Sequence, residues 1–234
     1  MPKKAITLIS GGLDSCVASF IAKEKGYKLY AISFRYGQRH EKELKCAKKI
    51  SNTLDVKEHI FIDIDFNQYS KATLIDSSSD KIQNHEFVDI GKEIPSTYVP
   101  GRNTIFLSLA LAYAESIDAD AIFIGVNAID YSGYPDCRPE YINAYQQMAN
   151  LATKKGIQGK PIKIETPLIK LKKSEIIKIG LKLKAPLEDT WSCYRGKKKA
   201  CGHCDSCLLR LKGFKEAKAE DPIIYEYYPK WYTK

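Results

Sequence analysis

The strongest constraint on this chain is the order of its apolar stretches. Residues 5–10 form a short apolar run ending at the Gly11-Gly12 pair and read as a buried strand. Residues 15–25 carry Val17, Phe20 and Ile21 at helical spacing, and Gly26 closes the helix. A second strand follows over 28–34. Next comes a charged helix over 41–54, with Leu44, Ala47, Ile50 and Leu54 on one face, and then a third strand over 59–64. Strand, helix, strand, helix, strand predicts an α/β fold with a Rossmann-like, doubly wound, mostly parallel sheet, because parallel neighbours need a helical crossover.

Residues 65–96 break this rhythm with a polar stretch around Ser77-Ser78-Ser79-Asp80, and read as a surface insertion. The rhythm then returns. Asn103 is expected to cap a helix through 117, and 121–125 reads as a strand followed by a polar loop over 126–138. A helix from 139, a strand over 161–165, helices over 173–183 and 205–219, and an aromatic tail over 225–232 complete the reading. The chain is expected to divide into a large α/β part, 1–190, and a small C-terminal segment with its tail, 191–234.

A hydrophobic fraction of 44% over 234 residues supports a real core and excludes a disordered chain. No apolar run approaches the roughly 18 residues of a membrane helix. The apolar run after Met1-Pro2-Lys3-Lys4 is about half a signal-peptide core. The expectation is a cytoplasmic protein without a membrane partner. The net charge of +9 comes mostly from lysines scattered among Glu and Asp, with one tight run at Lys197-Lys198-Lys199. This pattern reads as a solvated surface, or as attraction for anionic small substrates, rather than as a nucleic-acid face. The aromatic tail suits either a core or a dimer face, and a homodimer is expected.

Ser10-Gly11-Gly12-Leu13-Asp14-Ser15 lies between the first strand and the first helix. Two glycines let the backbone approach a ligand closely, and the helix that follows aims free N–H groups and its positive dipole end at the same point. Ser10 and Ser15 add hydroxyls, so an anion of pyrophosphate size suits the loop. Asp14 is acidic where phosphate should bind, and is expected to hold Mg²⁺ or to orient the loop.

Seven cysteines, an odd number, argue against a disulfide framework. Cys193, Cys201, Cys204 and Cys207 follow the spacing C-x7-C-x2-C-x2-C, and four thiolates can close a tetrahedral Zn²⁺ site. An iron–sulfur cluster and a thiol pair for sulfur transfer are the competing chemistries. His203 reads as a bystander, and Cys16, Cys46 and Cys137 as packing residues.

Two further segments carry candidate substrate contacts. In Tyr98-Val99-Pro100-Gly101-Arg102-Asn103, Arg102 can fork onto a phosphate or carboxylate, or be a surface residue beside a helix cap. The loop from Asn127 to Arg138 follows a strand, where open α/β sheets bind ligands. There Tyr131 and Tyr134 can stack on a flat heterocycle, a carboxylate such as Asp136 can accept from a guanine-like N–H edge, and Arg138 can pair with a substrate carboxylate.

The loop from Ser10 to Ser15 lacks the Gly-Lys-Ser/Thr ending of the Walker form and resembles that of the N-type ATP pyrophosphatases (PP-loop enzymes), which adenylate a carbonyl or carboxyl oxygen. The whole chain resembles a narrower family, the 7-cyano-7-deazaguanine synthases of queuosine biosynthesis. That likeness rests on the loop, Phe34-Arg35-Tyr36-Gly37-Gln38, Val99-Pro100-Gly101-Arg102-Asn103, the segment from Asp130 to Arg138, Glu165-Thr166-Pro167-Leu168, and Thr190-Trp191-Ser192-Cys193-Tyr194 with the later cysteines. It implies a carbon–nitrogen ligase that converts 7-carboxy-7-deazaguanine and ammonia to the nitrile. ATP would sit at Ser10, Gly11, Gly12, Leu13, Asp14 and Ser15 with Mg²⁺, and zinc on the four cysteines. Asp14, Ser15, Arg102 and Arg138 would be catalytic, and Arg102, Tyr131, Tyr134, Asp136 and Arg138 would hold the substrate. Removing two oxygens from one carbon implies two adenylations with an amide between them. The alternatives are a tRNA-modifying relative, a relative that attaches the deazaguanine acid to a protein amine, and a non-enzymatic zinc module.

Overall fold

The computed structural model describes residues 2–37, 42–68, 70, 72, 94, 97–129, 134–195 and 198–232. Five strands, β1 (Lys4–Leu8), β2 (Lys28–Arg35), β3 (His59–Asp63), β4 (Ala121–Phe123) and β5 (Lys163–Glu165), form one sheet in the order β3-β2-β1-β4-β5. Every pairing is parallel, with Leu8 opposite Ile32 and Thr7 opposite Phe123. The chain runs outward from β1 to β3 and then returns to lay β4 on the other side of β1. Connections therefore leave the C-terminal ends of β1 and β4 in opposite directions and open a crevice there.

Successive residues of β1 enter opposite cores, as the two-residue period of a strand requires. Ile6 and Leu8 pack with Ile32, Phe34, Phe106, Leu107 and Ile122. These rest against α3 (Arg102–Ser116) and α4 (Pro139–Ala152), and Phe34 stacks on Phe106 with ring centroids 4.0 Å apart. Ala5 and Ile9 pack instead with Val17, Ile50, Phe123, Ile176 and Phe214. These belong to the other layer, with α1 (Leu13–Glu24), α2 (Lys42–Leu54), α6 (Lys173–Lys182) and α7 (Asp205–Ala217). A third apolar cluster joins Trp191, the four clustered cysteines, Leu211, Tyr225 and Tyr232.

Some boundaries differ from the sequence reading. Asn103 is not the cap of α3; Gly101 is, in the left-handed conformation at φ 67°, and the helix starts at Arg102. β4 ends at Phe123 rather than 125, before Gly125 closes on α1, where an added Cβ would lie 2.7 Å from the Ser15 amide nitrogen. A short α5 (Lys154–Ile157) was not foreseen; the Thr153 hydroxyl caps it by accepting from the Gly156 amide at 3.2 Å. Most of the expected insertion over 65–96 lies outside the described residues. Among the described residues no helix is long and apolar enough to cross a membrane.

Candidate active site and metal centre

The loop after β1 is held by its own side chains. The Ser15 hydroxyl donates to the Gly12 carbonyl at 3.0 Å and accepts from the Ser10 amide at 3.2 Å. Ser10 Oγ lies 3.0 Å from Ser15 Oγ and accepts the Gly12 amide at 3.2 Å. Gly11 has φ 92°, and a Cβ there would meet the Glu43 carbonyl oxygen at 2.1 Å, so only glycine lets α2 seat against the loop. Gly12 is the N-cap of α1, whose first-turn amides have no carbonyl partner inside the helix.

Asp14 is tied down from the far side of the fold. Lys173, the first residue of α6 and 8% exposed, donates to both Asp14 carboxylate oxygens at 2.7 Å. This ion pair ties the start of α1 to the start of α6. Lys173 was missed in the sequence because nothing separates it from the many surface lysines.

A cavity of about 240 Å³ opens at the crevice. The loop, Glu43, Arg102, Asn127, Tyr134, Lys173, Trp191 and Arg210 are among its walls. Of the expected substrate residues, Arg102 and Tyr134 line it; the Tyr134 hydroxyl lies 2.8 Å from Thr97 Oγ1. Tyr131 lies outside the described residues. Asp136 and Arg138 are not among the described residues lining the cavity. Asp136 is buried and its carboxylate accepts the Asn103 amide at 3.0 Å, which anchors the first turn of α3. Arg138 is exposed and donates through Nε to the Pro135 carbonyl at 3.2 Å. Cys137 lines the cavity beside Asn103, and burial pushes its thiol up to about 12, so it packs as a neutral thiol.

Glu43 also faces the cavity and was missed. Burial raises its carboxyl to about 7, although Arg102 pulls the other way. Tyr36, whose ring lies 5.9 Å from the Arg102 guanidinium carbon, is pushed up to about 12 by burial and stays a neutral phenol.

The four cysteines of the C-terminal segment converge. All are buried, and their Sγ atoms lie within 4.8 Å of one another. The amides of Arg195 and Cys201 point at Cys193 Sγ at 3.4 and 3.3 Å, and those of His203 and Cys204 point at Cys201 Sγ, both at 3.4 Å. Hydrogen bonds from the Cys193, Cys204 and Cys207 thiols pull Cys201 below its ordinary value. A tetrahedron with metal–sulfur bonds of about 2.3 Å has edges of about 3.8 Å, and Cys201 and Cys207 stand 3.9 Å apart. The donor set therefore fits a metal and fills every position of a tetrahedral ion. His203 lies outside it and stacks on Tyr227 at 4.4 Å.

This segment is bound to the loop after β1. The Trp191 amide donates to the Gly11 carbonyl at 2.8 Å, and its indole donates to the Cys193 carbonyl at 3.1 Å. Arg210, 1% exposed, forks onto Asp221 at 2.8 and 3.0 Å and donates to Thr190 Oγ1 at 2.7 Å and the Leu187 carbonyl at 3.1 Å. A lone Arg in Leu208-Leu209-Arg210-Leu211 was the available signal, since an arginine among leucines needs a buried partner.

The model of the family described as "Queuosine biosynthesis protein QueC" matches residues 4–218. A 7-cyano-7-deazaguanine synthase of Thermoplasma volcanium is 52% identical over 234 residues, 100% of this chain and 95% of the relative. One from Citrifermentans bemidjiense is 54% identical over 228 residues, 97% of this chain and 99% of the relative.

Proposed function

This chain belongs to the family of the queuosine biosynthesis protein QueC, and we infer that it makes 7-cyano-7-deazaguanine from 7-carboxy-7-deazaguanine, ammonia and ATP. It is an ATP-dependent carbon–nitrogen ligase. Identity of 52% over 234 residues to a protein of that name carries the reading. The cavity beside an intact phosphate loop is consistent with it.

A carboxylate oxygen is a poor leaving group, and joining AMP to it makes it a good one. The chain's part in that step is charge. The first-turn amides of α1 and the Lys173 ammonium, held by Asp14, stabilise negative charge on the departing pyrophosphate. Arg102 holds the reacting carboxylate and Tyr134 packs against the heterocycle; both line the cavity. Asp136 supports this arrangement by fixing Asn103, the neighbour of Arg102. Mg²⁺ enters with the nucleotide; the one cluster of three or more metal-donor side chains among the described residues is the four cysteines. Zn²⁺ is assigned to Cys193, Cys201, Cys204 and Cys207, where a closed site supplies folding energy. The division into residues 1–190 and 191–234 is supported by the separate apolar cluster around the cysteines.

We place the protein in the cytoplasm, as a homodimer that does not bind nucleic acid. Exposed Leu151 and Ile157, at 81% and 77%, support a self-association face, which light scattering tests. Incubation with the acid, ATP, Mg²⁺ and ammonium, read by product mass, tests the function. The expected product is the nitrile, preceded by the amide. No nitrile, or acid bound to a protein amine or tRNA, overturns the reading.

A further inference from the structure

Amide formation from an adenylated acid releases a proton from nitrogen, and a base in the cavity would speed the step by receiving it. Two carboxyls line it among the described residues, Asp14 and Glu43. Asp14 accepts the Lys173 ammonium on both oxygens at 2.7 Å, and a proton taken up there would have to compete with that adjacent cation. The Glu43 carboxyl makes no hydrogen bond to any described residue, and it faces the cavity that Arg102 also lines. Its position is fixed by the backbone. Gly11 admits the Glu43 carbonyl where a Cβ would lie 2.1 Å away, so α2 is locked against the loop that takes the leaving phosphates.

We propose that Glu43 is a catalytic residue, the proton acceptor for the attacking nitrogen. The step balances as follows. The nitrogen lone pair forms a C–N bond to the carbonyl carbon of the adenylate. The C–O bond to AMP breaks, and its electron pair leaves on the AMP phosphate. The surplus N–H proton passes to a Glu43 carboxylate oxygen and later to water. Burial supports the role, because a carboxyl held at about 7 is present in both forms at neutral pH and can take up and release a proton. This proposal rests on the ligase reading above.

The experiment compares wild type with Glu43→Gln in three assays: acid-dependent exchange of pyrophosphate into ATP, amide formation from ammonium, and hydroxamate formation from hydroxylamine. The nitrogen of hydroxylamine is weakly basic and loses its proton to water readily. The expected result is exchange within about threefold of wild type, hydroxamate within about tenfold, and amide formation lowered about 10²–10⁴-fold. Should Glu43→Gln not fold, Glu43→Asp keeps the carboxylate one methylene further back, and is expected to lose amide formation with exchange intact. Loss of exchange equal to loss of amide, equal loss with both nucleophiles, or a wild-type rate in the variants overturns the role of Glu43 alone. A wild-type protein that shows no acid-dependent exchange overturns the ligase reading as well.

Discussion

At the scale of single residues, the site depends on charges held in place by partners distant in the chain. Asp14 and Lys173 are 159 positions apart, and their side chains are 16% and 9% exposed. Removing one member of such a pair leaves an uncompensated charge, which costs about 3–5 kcal/mol when fully buried. Lys173→Met is therefore expected to lose a few kcal/mol of stability and about 10²-fold in turnover, by analogy with the loss of one charge-stabilising donor. Asp14→Asn combined with Lys173→Met should recover stability in urea unfolding without recovering turnover. Equal recovery of both would make the pair purely structural. Asp136 gives a second case. Asp136→Ala leaves the buried Asn103 amide unpaired and should cost about 1–3 kcal/mol, whereas Asp136→Asn keeps an acceptor and should restore most of it. If Asp136→Asn keeps stability but raises KM for the acid about tenfold, the carboxylate also reads the substrate, as the sequence reading holds.

At the scale of elements, the seating of α2 on the Ser10–Ser15 loop shapes the cavity. Gly11→Ala would add a Cβ in the left-handed region at φ 92° and drive it into the Glu43 carbonyl. It should be destabilised more than Gly26→Ala, whose φ is 80° but whose added Cβ meets nothing within 4 Å. Thermal melts compare the two, and similar losses would mean that backbone strain, not the seating of α2, sets the cost. The same logic applies to α7, where Arg210, held by Asp221, joins the cysteine segment to the end of the sheet part through Thr190 and the Leu187 carbonyl.

Across the whole molecule, two measurements probe how the parts hold together. The four-cysteine cluster proposed to hold zinc shares an apolar cluster with Trp191, which is bonded to the Gly11 carbonyl. Stripping metal with a strong chelator should therefore lower the Tm and impair nucleotide binding together; activity lost at an unchanged Tm would move the metal into the chemistry. The second measurement is pH. Burial, helped by Lys48, lowers His59 to about 4, and its ring nitrogens lie 2.8 Å from Ser33 Oγ and Ser51 Oγ. The unfolded chain thus binds a proton at His59 that the native state refuses between about 6.5 and 4, and stability falls as pH falls through that window. Allowing for solvent screening the loss is about 1–2 kcal/mol. Glu43 acts in the opposite sense, its raised carboxyl favouring the folded state below about 7. His59→Gln should flatten the fall between pH 6.5 and 4 in denaturant melts, relative to wild type; an unchanged slope would assign acid sensitivity elsewhere.

The strand–helix alternation, the loop from Ser10 to Ser15 and the spacing of the four cysteines were all legible in the sequence. Each is local: hydrophobic period, glycine and thiol spacing act over a few residues. Arg102 and Tyr134 were also singled out there, through loops that follow or precede regular elements, and both line the cavity. Lys173 and Glu43 were not, because a lysine or glutamate in a highly charged chain has no local mark of its role. The tertiary structure decided that role by carrying α6 and α2 to the crevice, where removal from water makes an ion pair of one side chain and a poised carboxyl of the other. It also turned Asp136 toward the Asn103 amide, a choice set by burial, which the residue order alone does not encode.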